Sequence, residues 1–333
     1  MKITICGGGN LGQVIAGYLS AKHNANVNIL TRSPERWKSE LHVSTPEGET
    51  LIGKLNIVSD DASKVIPNSD IVLLCLPGFA IPAELEKIKP FVNADTFVGS
   101  VFSSTGFFFE AMKILGSDVP LWGFQRVPFI ARMETYGEKA NLLGYKKSLA
   151  IAVENTSRKE EFRSLVEQLF GTPTQLLNNY YEASFTNSNP ILHPSRLYSL
   201  FKNWHEGIFF DHNILFYGEW TDEASENLIK MDEELFKVLE QLPVSPNYLM
   251  PILEYYESTD AESLTRKIRS IESLHNITSP MVETENGWVP DFGSRYFKED
   301  FPFGLHYIHQ KAHELGIATP KIDEIYNWGM SKI

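Results

Sequence analysis

The chain has 333 residues, enough for about two domains, and its 43% hydrophobic content can fill a sizeable core. A formal net charge of −12 excludes a general binder of nucleic acid or anionic membranes, so any basic patch must be local. The two cysteines, Cys6 and Cys75, both fall in expected buried strands, which suits a reducing compartment without a disulfide framework. There is no charged-then-apolar leader and no stretch of about 18 apolar residues, so neither a signal peptide nor a membrane span is expected, and the location is read as cytoplasmic.

Met1 to Cys6 is a short apolar run that reads as a strand. Gly7-Gly8-Gly9-Asn10-Leu11-Gly12 follows at once, and Leu11, Val14, Ile15, Tyr18 and Leu19 then recur at helical spacing. Strand, glycine turn and helix in that order give a G-x-G-x-x-G pattern its meaning as a dinucleotide-binding turn. Gly7 permits the tight turn, Gly9 lets a pyrophosphate approach the backbone, and Gly12 allows close helix–strand packing. The helix start at Asn10 and Leu11 offers free N–H groups to the phosphates.

Val27 to Leu30 reads as the second strand, whose end faces the adenosine ribose in such units. An Asp or Glu there favours NAD. This chain instead has Thr31-Arg32-Ser33, with Arg36 a turn later, and two guanidinium groups with two hydroxyls can hold a 2′-phosphate. NADP is therefore expected over NAD. His42 to Val58 alternates around Pro46-Glu47-Gly48 as a hairpin does, and Asp60 to Val65 reads as a short helix. Asp70 to Pro77 is a buried parallel strand ending beside the glycine turn, which brings Cys75 and Pro77 to the cofactor. Cys75 is read as packing, since no base partner is evident.

Phe79 to Val92 and Gly106 to Leu115 have helical character, and Thr96 to Val101 and Trp122 to Val127 look like strands. Ser103-Ser104-Thr105 is placed to meet the nicotinamide side. Gln125 to Arg132 carries two arginines among apolar residues, odd for a loop, and suits either a ligand contact or a structural ion pair. Lys147 to Val153 and Arg158 to Phe170 read as the last strand and helix of this half. The alternation implies an α/β fold with a doubly wound parallel sheet over residues 1–177.

From Asn178 the alternation stops. Asp232 to Leu242, Ala261 to Leu274 and Phe303 to Leu315 show apolar residues at three- and four-residue spacing, and Thr319-Pro320 looks like a helix start. Residues 178–333 are therefore expected to form a helical substrate domain, with the ligand in the cleft between the two halves. Asn187 to Pro194 puts His193 before a proline, at an expected turn. Arg295 and Asp300 lie in an aromatic-rich segment. A polarising histidine, a carboxylate to orient it and an arginine fork for a substrate carboxylate suffice to reduce a carbonyl or imine. His306, His309 and His313 share one helix face, but they lack a His-Glu-x-x-His pattern and a third ligand with clear spacing, so no metal is expected. His205 and His212 have no partner that sequence identifies.

With these residues in view, the chain resembles the octopine/nopaline dehydrogenase family, the opine dehydrogenases, over nearly its whole length. The resemblance rests on the N-terminal glycine motif, on an Asn-x-x-x-His-Pro pattern ending at His193-Pro194, and on an Arg-x-x-x-x-Asp pattern at Arg295 and Asp300. It implies a Rossmann-type domain followed by an all-helical domain of the 6-phosphogluconate dehydrogenase C-terminal type. The implied activity is NAD(P)H-dependent reductive condensation of an amino acid with a 2-oxo acid, giving an N-(1-carboxyalkyl)-amino acid. It also implies the catalytic set. His193 donates a hydrogen bond or proton to the carbonyl oxygen, Asp300 holds its ring, and Arg295 grips the oxo-acid carboxylate in a two-pronged contact. Thr31-Arg32-Ser33 departs from the NAD-preferring members. The amino-acid pocket is not legible, and a homodimer is left open.

Two other readings stand beside this one. The first is a 2-oxo/2-hydroxy acid dehydrogenase of the ketopantoate reductase or glycerol-3-phosphate dehydrogenase type. There a lysine such as Lys202 would matter more than His193. The second is a nucleotide sensor without turnover.

Overall fold

A computed structural model describes residues 1–246 and 248–333. The chain divides into two compact units, Met1–Ser184 and Phe185–Ile333. Each is taken in turn.

In the first unit, strands β1 (Lys2–Cys6), β2 (Asn26–Leu30), β3 (Glu40–Ser44), β4 (Thr50–Ser59), β5 (Ile71–Leu74), β6 (Phe97–Ser100), β7 (Leu121–Phe124), β8 (Phe129–Thr135), β9 (Lys139–Tyr145), β10 (Leu149–Glu154) and β11 (Thr174–Leu176) form one sheet. Its order is β11-β10-β7-β6-β5-β1-β2-β4-β3-β9-β8. Strands β4, β2, β1, β5, β6 and β7 run parallel to one another, and β10 pairs with β7 antiparallel, so the sheet is mixed around a parallel centre.

Helices α1 (Asn10–His23), α2 (Ala62–Val65), α3 (Ile81–Ile88), α4 (Phe107–Leu115), α5 (Lys159–Phe170) and α6 (Tyr180–Ser184) complete the unit. The two-residue period of the strands sends alternate side chains to opposite faces. Ile3, Ile5, Ile71 and Leu73 join α1 and α5 in one core, while Cys6, Val72 and Leu74 join α2, α3 and α4 in another. That is the doubly wound arrangement expected from sequence. The hairpin expected around Gly48 is β3–β4, antiparallel from Glu40↔Lys54 to Ser44↔Thr50.

The loop expected at Gln125 to Arg132 is a loop only as far as Pro128. From Phe129 the chain is β8, the edge strand of the sheet, paired antiparallel with β9. Its side chains are mostly exposed and interrupted by Arg132 and Glu134, so no alternating pattern marks it.

The second unit contains α7 (Asn189–Phe201), α8 (Asp222–Leu239), α9 (Ile252–Tyr255), α10 (Ala261–Arg269), α11 (Glu272–His275), α12 (Arg295–Asp300), α13 (His306–Glu314) and α14 (Pro320–Met330). It is helical but not wholly so. Strands β12 (Met281–Thr284) and β13 (Gly287–Pro290) form an antiparallel hairpin, a correction to the all-helical expectation. Gly287 takes φ +126°, and a Cβ there would lie 2.5 Å from the Phe210 carbonyl oxygen, so the turn requires glycine. The helix expected from Phe303 starts at His306. Pro302 and the non-helical Phe303 hold Phe301–Leu305 in a wider turn. Among the described residues no helix is long and apolar enough to cross a membrane.

Candidate active site

The glycine turn joins β1 to α1 at the carboxyl ends of β1, β2 and β5. Gly7 N–H donates to the Leu30 carbonyl at 2.9 Å, and Cys75 N–H to the Cys6 carbonyl at 2.8 Å. Gly7 takes φ +107°, and a Cβ there would lie 2.6 Å from the Cys75 carbonyl oxygen. A Cβ on Gly12 would run into the Gly7 carbonyl, whereas one on Gly9 would meet nothing within 4 Å. Gly9 is also the N-cap of α1 and no side chain caps that helix. An open backbone at an uncapped helix start fits the pyrophosphate of a dinucleotide.

The neighbouring side chains are held in place. Asn10 Oδ1 accepts from the Met133 N–H at 2.9 Å, and Leu11 packs at the edge of the core. Burial pushes the Cys75 thiol well up, so it stays protonated. Pro77 opens the short turn Gly78–Ala80 after β5. Ser103 and Ser104 are buried, and Ser103 Oγ donates to the Phe124 carbonyl at 2.8 Å. The Thr105 side chain lies outside the described residues.

At the end of β2, Thr31 Oγ1 and the Tyr136 hydroxyl share a hydrogen bond at 2.9 Å, and the Arg36 guanidinium lies 4.5 Å over the Tyr136 ring. Trp37 meets the same ring edge-on at 5.7 Å. Arg32 and Arg36 are exposed and Ser33 is half-buried. Tyr136 comes from the β8–β9 turn, and nothing in the sequence ties it to Thr31 and Arg36, 105 and 100 positions earlier.

In the second unit His193 lies inside α7 and not at the expected turn. The helix runs through Pro194, one turn from its start. There the proline forgoes one backbone donor, and burial of Ile191, Leu192, Pro194 and Leu197 offsets that loss. Asp300 ends α12, 107 positions away, and the two side chains meet with His193 Nδ1 2.8 Å from Asp300 Oδ2. A carboxylate only accepts, so Nδ1 carries the hydrogen and Nε2 is left as the acceptor. The Tyr217 hydroxyl donates to that Nε2 at 3.0 Å. Phe216, Tyr217 and Tyr296 meet the imidazole edge-on, at centroid distances of 5.6, 6.5 and 4.9 Å. Burial, reinforced by Tyr296, Tyr256 and Asp300, raises the Tyr217 hydroxyl far above its ordinary value, so it remains a donor.

Tyr217 was not legible in the sequence. Its place is set by Arg196, one turn after His193 on α7 and fully buried. Arg196 Nε donates to the Phe216 carbonyl at 2.9 Å, and Nη2 to the Leu215 and Glu219 carbonyls at 3.3 and 2.7 Å. Burial lowers this guanidinium to about 10. Arg295 stands at the start of α12 on the exposed side, and among the described residues it makes no hydrogen bond or ion pair. Lys202 pairs with Glu223 and lies nine residues beyond His193, about 13 Å along the helix axis.

A parallel-centred nucleotide-binding unit with a helical unit that carries a His–Asp pair is the plan of a nicotinamide-dependent dehydrogenase. Residues 176–333 match the alpha-helical domain of the NAD/NADP octopine/nopaline dehydrogenases. Residues 3–102 match the ketopantoate reductase PanE/ApbA model. An opine dehydrogenase of Haliotis discus hannai is 27% identical over 98% of this chain and 89% of its own length. A solved octopine dehydrogenase with NADH and L-arginine aligns over 100% of this chain and 89% of its own, with TM-score 0.87 and 24% identity. A yersinopine dehydrogenase with NADP+ bound aligns over 100% of this chain and 90% of its own, with TM-score 0.75 and 14% identity.

Proposed function

We propose that this chain is an NADPH-dependent opine dehydrogenase, which condenses an amino acid with a 2-oxo acid and reduces the resulting imine to an N-(1-carboxyalkyl)-amino acid. The observation that carries the reading is the buried His193–Asp300 pair, its ring fixed at one nitrogen and its other nitrogen reserved for a hydroxyl.

When the amine attacks the oxo-acid carbon, the carbonyl oxygen gains a proton and later leaves as water. His193 Nε2, the acceptor of the resting ring, takes the proton that the attacking amine nitrogen sheds and passes it to that oxygen, and Asp300 stabilises the imidazolium formed in between while keeping the ring aligned. The Tyr217 hydroxyl holds Nε2 on the axis along which the proton moves. Arg295, exposed and with no hydrogen bond or ion pair among the described residues, takes the oxo-acid carboxylate through paired N–H donors. A bound nicotinamide supplies the hydride that reduces the imine carbon. The glycine turn Gly7, Gly9 and Gly12, with Asn10 and Leu11 at the start of α1, holds its pyrophosphate, and Cys75 and Pro77 flank it.

NADPH is favoured over NADH because Thr31, Arg32 and Ser33 put no carboxylate at the end of β2, and Arg32 and Arg36 are exposed to receive a 2′-phosphate. The ketopantoate-type alternative looks to a lysine, and Lys202 is committed to Glu223 at the far end of α7.

The test is cofactor oxidation with a panel of 2-oxo acids, each with and without amino acids, using NADPH and NADH in parallel and identifying products by mass spectrometry. Oxidation that needs both substrates and yields a secondary amine supports the reading. Oxidation with the oxo acid alone, giving a hydroxy acid, overturns it. Equal use of NADH overturns the cofactor choice alone.

A further inference from the structure

Sequence spacing gave the histidines of α13 no third ligand. The fold supplies one from α14. His309 Nε2 and His313 Nε2 lie 3.4 and 3.1 Å from the same oxygen, Asp323 Oδ1. The ligand atoms of all three residues fall within 4.8 Å of one another. We infer that His309, His313 and Asp323 form a binding site for one divalent transition cation of the zinc class, which ties α13 to α14.

The geometry is that of a coordination shell. Zinc bonds to nitrogen and oxygen of about 2.0–2.2 Å place tetrahedral ligand atoms about 3.3–3.5 Å apart. The two nitrogen–oxygen separations bracket the lower end of that range. His309 and His313 are four residues apart, so the helix stacks them on one face with ring centroids 4.3 Å apart and tilted by 37°. Two neutral imidazoles and one carboxylate leave a net charge of −1 for a dication to offset.

The ligands are also oriented from behind. Asp323 Oδ1 accepts from Thr319 Oγ1 at 3.1 Å. The His309 ring stacks on Tyr326 at 4.2 Å and 26°, and the Tyr326 hydroxyl is fixed 2.8 Å from His306 Nδ1. Such outer contacts are what hold metal ligands in register. The half-exposed setting leaves the remaining coordination positions to water, which suits a cation that staples helices.

The experiment uses full-length protein, free of any affinity tag and stripped with a chelator, dialysed against zinc chloride or cobalt chloride. Expected are one equivalent of bound metal, a visible cobalt absorption band and a rise in Tm with zinc. Substitutions His309→Ala and His313→Ala should each weaken binding at least about tenfold and abolish the Tm rise, while the circular dichroism spectrum stays unchanged. His313 is exposed, so its variant folds, and its zinc affinity decides the matter. No stoichiometric binding to the wild type, or binding in His313→Ala within about twofold of wild type, overturns the inference.

Discussion

Substituting Asp300→Asn probes the arrangement most directly, because it keeps the side-chain shape and removes only the charge. In the native pair Nδ1 and Oδ2 are 2.8 Å apart, in the range of charge-assisted bonds. The side chains are only 11% and 19% exposed, so solvent screens the interaction little. When His193 becomes an imidazolium, that bond strengthens by about 1.5–3 kcal/mol relative to a neutral partner, which is a loss of about 10- to 150-fold in kcat. A second penalty adds to it. An asparagine can turn its own N–H toward Nδ1 and so place the ring hydrogen on Nε2, the atom meant to accept from Tyr217. Inversion of this kind in a hydrolase triad costs about 10⁴-fold, so the combined expectation here is about 10²- to 10⁴-fold. The assay is steady-state turnover with both substrates, alongside NADPH binding followed by fluorescence. Binding should remain within about twofold of wild type, because the cofactor turn lies in the other unit. A variant that keeps more than about half of wild-type kcat refutes the pairing as a source of rate.

Four further outcomes follow from the same contacts. Replacing His193 by Ala should lower kcat by about 10²- to 10⁴-fold with NADPH binding intact, and retained turnover would reject its role. Arg295→Ala removes the guanidinium proposed to hold the oxo-acid carboxylate, so the oxo-acid KM should rise by about 10- to 150-fold while the amino-acid KM moves little. Tyr217→Phe loses a single hydroxyl bond to Nε2, so kcat should fall by about 2- to 10-fold, and an unchanged pH profile and kcat would mean that the phenol only packs. Asp232 is buried on α8, accepts from the Ile252 N–H at 2.9 Å, and is raised by burial to about 6. A carboxyl raised in the folded state stabilises below its unfolded value near 3.8 and loses that contribution as pH climbs through 6. Asp232→Asn should therefore raise Tm at pH 8, by at most about 3 kcal/mol of stability, and change it little at pH 4. Equal shifts at the two pH values would contradict this.

Local patterns carried much of the architecture. Gly7 to Gly12 between an apolar strand and a periodic helix announces its own geometry, because Gly7 and Gly12 each answer a nearby backbone constraint. His193 and Asp300 could be named as a pair only through the family pattern. Nothing in their immediate surroundings links residues 107 positions apart. What stayed hidden falls into three physical kinds. His193 looked like a turn residue because proline disfavours helix before it, and burial of the surrounding apolar side chains overrode that preference. Strand β8 lies at the sheet edge, where most side chains face solvent and the period-two signal fades. The β12–β13 hairpin did leave a trace in Asn286-Gly287 between Val282 and Val289, a turn signal outweighed by the helical neighbourhood. Tyr217, Tyr136 and Asp323 reach their partners only through tertiary folding, and no local spacing reports them.

The three carbonyls gripped by Arg196 have a mechanical consequence. His193 and Arg196 stand one turn apart on α7, and the loop from Leu215 to Glu219 hangs from that guanidinium. Helix, imidazole and phenol are thus tied together by one side chain. Residues outside that group can change to suit amines of different size or charge without disturbing the alignment between Nε2 and the phenol oxygen.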